Sequence, residues 1–275
     1  MDITFQALIM GIVQGLTEFL PVSSSGHLVI VPYLLGWTDP FITSLAFSVM
    51  LHLGTLVALL VYFRADWLVI VPAGIASLRE RSLGSDPNRK LAWLLVVATI
   101  PAVIAGPILN DRLEAAVRTA EDVAVALVVG AAILWLADQL GRKSDGIDRI
   151  TFRLAAVIGL AQSIALVPGI SRAGITISAG LFAGLTREAA ARFSFLMATP
   201  IIAGAGVFEG LKLLRGEAGV DVQAAPLVVG MIAALVAGLA AIHLMLRYLR
   251  TRSYAIFVAE RIAIAAVVLV VFLSR

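Results

Sequence analysis

The chain has no cysteine and little charge. Across 275 residues the missing cysteine rules out disulfides, thiolate nucleophiles and Cys-ligated metals. Charged residues make up 14%, against about a quarter of an ordinary soluble domain. No GxxxxGK[ST] loop is present, so the common soluble phosphate cradle is excluded. The first residues, Met1 to Phe5, lack the basic n-region of a secretory signal, so the first apolar segment is expected to be retained. What remains is apolar. Hydrophobic residues reach 60% and the mean hydropathy is +1.00, which predicts an all-α integral membrane protein.

Six segments read as full spans: Phe41–Phe63, Lys90–Leu109, Glu121–Leu140, Ala189–Leu214, Pro226–Arg247 and Tyr254–Leu273. A shorter apolar piece, Trp67–Leu78, reads as interfacial. Two regions are different. Ile3–Gly36 is interrupted by Glu18, Pro21, Ser23 to Ser25 and His27. Phe152–Leu185 is interrupted by Gln162, Pro168-Gly169, Ser171-Arg172 and Thr176. Broken backbone at membrane depth survives only when buried in protein or lining a water-filled cavity. Each region is therefore expected to be a re-entrant helix pair.

The two regions also resemble each other. Gly11-Ile-Val-Gln14 precedes Pro21 and Ser24; Gly159-Leu-Ala-Gln162 precedes Pro168 and Ser171; Phe47-Ser48 and Phe193-Ser194 follow in turn. One membrane domain with an inverted-topology repeat is the expectation, residues 1–120 forming the first unit and 121–275 the second with its leading span. With both breaks re-entrant, the loops 64–90, 141–153, 186–192 and 247–261 share a side. They hold 15 of the 21 Lys and Arg residues, so that side is expected to be cytoplasmic. The first break then opens outward and the second inward.

The breaks carry chemistry. Gln14 and Glu18, four residues apart, share a helix face, and Pro21 ends that helix. Ser23, Ser24 and Ser25 supply hydroxyls at the next helix start, and Pro168-Gly169 with Ser171 and Thr176 make a second. Free N–H groups at helix starts favour anions, and Arg172 adds a bidentate fork for phosphate oxygens. His27 and Glu18 complete the constellation. Glu18 either holds a divalent cation on a diphosphate or orients His27. A serine of this cluster has the logic of an activated nucleophile, and His27 is a candidate base, leaving-group acid or nucleophile. The alternative, that Glu18 and His27 only cap helix ends, leaves Arg172 and the hydroxyls unexplained.

QGLTEFLPVSSSGHL and PGISRAGITIS resemble the signature stretches of the bacitracin-resistance, undecaprenyl-pyrophosphate phosphatase family. The likeness extends to LHLGTL, IPAV and FSFLMATP. It implies an inverted-repeat membrane enzyme that converts a polyprenyl diphosphate to the monophosphate and inorganic phosphate, recycling the cell-wall lipid carrier from a site open to the periplasm. Carried over by position, Glu18 is the essential glutamate, Ser24 the candidate nucleophile, His27 the essential histidine and Arg172 the phosphate-binding arginine. Gln14, Ser23, Ser25, Ser171 and Thr176 become supporting contacts to substrate. A divalent cation, Mg²⁺ or Ca²⁺, is implied as cofactor with Glu18 as its ligand. Two departures stand out: Gln14 is an amide where a second carboxylate would help a cation, and Ala173 replaces a serine.

His52 is expected to bond a backbone carbonyl rather than join the site. The basic loops read as topology determinants and lipid-headgroup contacts, not a nucleic-acid surface. Partners are then the polyprenyl diphosphate and membrane lipid, with the oligomeric state open, a homodimer included. The competing reading is a carrier that moves a phosphorylated lipid or another anion across the bilayer; architecture alone does not separate it from an enzyme.

Overall fold

A computed structural model describes residues 2–116, 119–215, 219 and 221–274, with the side chains of 107, 109–116, 213 and 214 left aside. Arg118 and Arg275, which entered the charge count, lie outside the described residues, as does the side chain of Arg112. The described chain is helical, with eleven α-helices: α1 Ile3–Phe19, α2 Ser24–Leu35, α3 Leu45–Tyr62, α4 Arg64–Glu80, α5 Pro87–Ala116, α6 Ala120–Leu140, α7 Phe152–Ile164, α8 Arg172–Phe182, α9 Arg187–Leu214, α10 Ala224–Leu249 and α11 Ala255–Ser274. Six of them, α3, α5, α6, α9, α10 and α11, are long and apolar enough to cross a membrane. They fall on the six segments expected from hydropathy. Their outer faces stay apolar, as with Val236 and Val270, which suits a lipid solvent.

The interrupted regions form the short helix pairs α1–α2 and α7–α8. Leu20, before Pro21, is extended (φ −70°, ψ 139°), and α1 stops there. α2 starts one turn later, capped by Ser23, whose Oγ accepts from Gly26 N at 3.3 Å. The second break repeats this cap: Ser171 Oγ accepts from Gly174 N at 3.0 Å. Both serines are left-handed, φ 76° and 74°. For a non-glycine residue that conformation costs roughly 1–3 kcal/mol and persists only where surrounding contacts hold it.

Helices approach closely where side chains vanish. A Cβ on Gly11 of α1 would lie 2.2 Å from the Gly230 carbonyl oxygen of α10. One on Gly159 of α7 would lie 2.4 Å from the Ala98 oxygen of α5. Each broken pair thus lies against a spanning helix through a backbone-to-backbone seam, the packing that small residues permit in membranes. The breaks themselves meet, since a Cβ on Gly26 would come within 3.5 Å of Gly169 Cα.

Ion pairs tie together helix ends that the alternation of spans puts on one side. Asp138 at the end of α6 bonds Arg187 Nε at 2.6 Å and Tyr254 N at 3.1 Å. Arg192 of α9 pairs with Asp66 of α4, and Arg250 with Glu188. Burial, then the nearby Asp138 charge, pushes the Tyr254 hydroxyl well above its usual range; it stays protonated and donates to the Arg187 carbonyl. One charge from the count belongs elsewhere. Arg261 is no loop residue: it sits inside α11 and is fully buried.

Candidate active site

Glu18 lies near the end of α1, in a helix otherwise rich in apolar residues, and its carboxylate organises the site. Oε1 accepts from Arg172 Nη2 at 2.5 Å. Oε2 accepts from Ser24 Oγ at 2.6 Å and from Gln14 Nε2 at 3.0 Å. His52 Nε2 stands 3.3 Å from the same oxygen. A carboxylate this deeply buried survives because every side of it meets a donor.

Glu18, Ser24, His52 and Arg172 face one cavity of about 250 Å³. Glu18, Ser24, Ser25, His52, Gln162, Ser171 and Arg172 supply its polar wall, and Ala102 of α5 with Ile201, Ile202 and Ala205 of α9 supply the apolar one. Both helix starts reach it, because Ser24 is the first residue of α2 and Arg172 the first of α8. Their unsatisfied N–H groups and dipoles favour an anion there. A larger cavity of about 670 Å³ between α3, α4, α5 and α9 has no titratable lining residue. The chemistry does not sit there.

Of the residues read from sequence, Glu18, Ser24, Ser25, Ser171 and Arg172 line the cavity together. Gln14, fully buried, stands behind Glu18 as a donor. Ser23 is spent as a cap. Thr176 is turned onto α9, its Oγ1 2.7 Å from Ser194 Oγ.

His27 departs from the expected arrangement. Its Nδ1 lies 2.8 Å from the Ser23 carbonyl and its Nε2 2.9 Å from Glu260 Oε1. Glu18 therefore does not orient His27; the histidine at Glu18 is His52. A ring at position 27, four residues into the helix cap, projects back over the break and toward α11, away from the cavity. His52 does bond a backbone carbonyl, that of Ser48 at 2.7 Å, and this bond aims Nε2 at Glu18. Glu260 was not singled out by sequence, because it hides among charges that look like a helix start. The clue was a consecutive Glu-Arg pair inside the apolar run that follows Tyr254.

A divalent cation needs several oxygen donors. Glu18 is the sole carboxylate lining the cavity, its oxygens already hold N–H and O–H donors, and a guanidinium lies at hydrogen-bond distance. Among the described residues no group of three His, Asp or Glu comes together. The residues present do not form a cation cage.

The helices and the site together define a multi-pass membrane protein with a serine, histidine, carboxylate and guanidinium cluster buried between two helix starts. Residues 7–267 match the family described as bacitracin resistance protein BacA, and the chain belongs to that family. It is 46% identical over 264 residues to the undecaprenyl-diphosphatase of Rubrobacter xylanophilus, covering 96% of each chain. It is 45% identical over 271 residues to that of Desulforudis audaxviator, covering 98% of each. The undecaprenyl-diphosphatase of Geobacter sulfurreducens matches at 44% over the full length of both chains.

Proposed function

We propose that the protein is an undecaprenyl-diphosphate phosphatase of the cytoplasmic membrane, with Ser24 as nucleophile and Glu18 as its base. The observation that carries this is the 2.6 Å bond from Ser24 Oγ to Glu18 Oε2 beside Arg172. Nucleophile and base stand within hydrogen-bond reach, and the base is held by further groups. A diphosphate entering the cavity competes with Glu18 for the guanidinium, and the two helix starts supply N–H donors for the transferred group. Ser24 Oγ attacks the terminal phosphorus as its proton passes to Glu18. The bond to the bridging oxygen breaks and the polyprenyl monophosphate leaves. Water then attacks the phosphoserine, the Oγ–P bond breaks as Glu18 returns its proton to Ser24 Oγ, and the water's protons leave with the inorganic phosphate. Positioning and charge stabilisation do most of the work in such a transfer.

The chain's own residues take these steps without a protein-held metal. A cation that the reaction uses would enter with the diphosphate. The apolar cavity beside α5 and α9 suits the polyprenyl chain.

The architecture we infer is an inverted repeat of two re-entrant pairs. The support is a constant offset of 148 residues that relates Gly11 to Gly159, Gln14 to Gln162, Ser23 to Ser171 and Gly26 to Gly174, with matching caps at both serines. The excess of basic residues at one set of helix ends favours those ends as cytoplasmic and the site as periplasmic. Purified protein given undecaprenyl diphosphate should release phosphate. Lipid movement across vesicles with no phosphate release would support a carrier instead.

A further inference from the structure

Two neighbouring residues of α11 reach both breaks. Glu260 Oε1 meets His27 Nε2 at 2.9 Å, and His27 Nδ1 meets the Ser23 carbonyl at 2.8 Å. Arg261 Nη2 donates to the carbonyls of Ile170 at 2.5 Å and Gly169 at 3.3 Å. In each case the chain ends on the backbone at or just before a left-handed serine, Ser23 or Ser171. The next residue on is Ser24 in one break and Arg172 in the other.

We propose that Glu260 and Arg261 are positioning residues: α11 clamps the two breaks, through His27 in the first and directly in the second, and so fixes Ser24 against Arg172 for the reaction. This rests on the phosphatase reading above. The physical need is plain. The Gly169 and Ile170 carbonyls lie ahead of the second helix start, are buried and need a donor, whereas the Ser23 carbonyl takes the His27 N–H at 3.1 Å and its ring as a second donor. A strained serine holds its conformation only if neighbouring groups over-determine it. Arg261 answers the first demand at Gly169 and Ile170. Its guanidinium fits because residue 130 is glycine; a Cβ there would lie 2.7 Å from Nη1 and 2.8 Å from the Ile170 oxygen.

The hydrogen bonds also define what His27 does. Nδ1 faces a carbonyl, which only accepts, so Nδ1 is the donor. The contact with Glu260 then holds a single proton, on the ring or on the carboxyl. Both nitrogens are engaged, and neither is turned to the cavity that Ser24 and Glu18 line. His27 acts through the break, as the middle of the clamp. Nε and Nη1 of Arg261 have no hydrogen-bond partner, so this arginine is held in place by the backbone it organises rather than by a carboxylate.

The test compares Glu260→Ala, Glu260→Gln, Arg261→Met and Arg261→Lys in purified full-length protein. Removing a group that orients a reacting residue costs activity about 10- to 100-fold, so kcat for phosphate release should fall by that factor in Glu260→Ala and Arg261→Met, with KM near the wild-type value. Glu260→Gln keeps a donor for His27 and Arg261→Lys keeps one for Ile170, and each should recover part of the loss. Amide hydrogen exchange supplies an arm independent of activity, read in whichever variants stay folded. Faster exchange should be confined to residues 22–27 in the Glu260 variants and to 169–175 in the Arg261 variants. Wild-type kcat in both truncations would overturn the proposal, as would exchange that rises evenly along α6 and α11 with the conservative variants no better than the truncations. A wild-type protein that releases no phosphate would sink the phosphatase reading, leaving the exchange pattern to decide the clamp.

Discussion

Glu18 Oε1 lies 2.5 Å from Nη2 of Arg172, joining the first break to the second across 154 residues of sequence. The contact closes the site from two halves of the chain that no local motif links. It also sets an electrostatic condition. Each charge is tolerable at this depth because the other is present, and a diphosphate that draws Arg172 away leaves Glu18 with Ser24, Gln14 and His52. On the mechanism proposed above, the substrate would exchange an internal pair for a phosphate–guanidinium pair, with no charge left bare.

A double-mutant cycle tests that pairing. Glu18→Ala and Arg172→Ala should each abolish phosphate release. Each should also lower stability by about 3–5 kcal/mol, because a partner is left buried and unpaired. The double variant should be less destabilised than the two losses added together. Thermal unfolding in detergent reads this; strict additivity would mean that the two groups do not support each other.

His52 is the second point. It touches Glu18 at 3.3 Å and lines the cavity, whereas His27 does neither. His52→Ala should therefore lower kcat about 10²- to 10⁴-fold, the range for a positioned proton-handling group. His52→Gln, which can still donate to Glu18, should retain more. Steady-state phosphate release is the measurement, and unchanged kcat in His52→Ala would remove this residue from the reaction.

Much of the fold was legible because hydropathy writes it directly. Six spans, two interrupted segments and their caps all follow from apolar runs, Pro21, Pro168 and the serines. The likeness between the two interrupted regions was legible too, but its register was misread. Matching Pro21 to Pro168 pairs Ser24 with Ser171, while the caps pair Ser23 with Ser171 and Ser24 with Arg172. The prolines are one residue out of step, since proline only has to end a helix somewhere in the break, whereas a cap must sit at its first turn. The partner of each histidine was not legible at all. His27 and His52 both bond a carbonyl four residues back, and which glutamate lies beyond depends on tertiary packing. Arg261 was taken for a loop charge for a related reason: in the second turn of a helix, a buried arginine and a solvated one look alike in sequence.

The donor set around Glu18 predicts how the protein carries metal. With one carboxylate and a guanidinium in contact, the purified protein should hold well below one equivalent of Mg²⁺ or Ca²⁺ after dialysis, measured by elemental analysis. Any cation requirement should then follow the concentration of the cation–diphosphate complex. A stoichiometric metal that survives dialysis and is lost in Glu18→Gln would show instead that the protein builds the cation site.

Ser24 carries the chemical prediction. Its hydroxyl is the one already donating to Glu18, and its place at the first residue of α2 puts Oγ where the helix N–H groups face the incoming phosphate. Ser24→Ala removes Oγ yet leaves Glu18 its contacts to Arg172, Gln14 and His52, so the fold should survive. Phosphate release should drop about 10⁴-fold or more, as when a nucleophile is deleted from a unit that works together. Acid quenching of wild-type turnover with diphosphate labelled at its terminal phosphorus should trap label on Ser24, and Ser24→Ala should trap none. If that variant keeps wild-type turnover, Oγ is not the nucleophile and water must attack the phosphorus directly with Glu18 as its base.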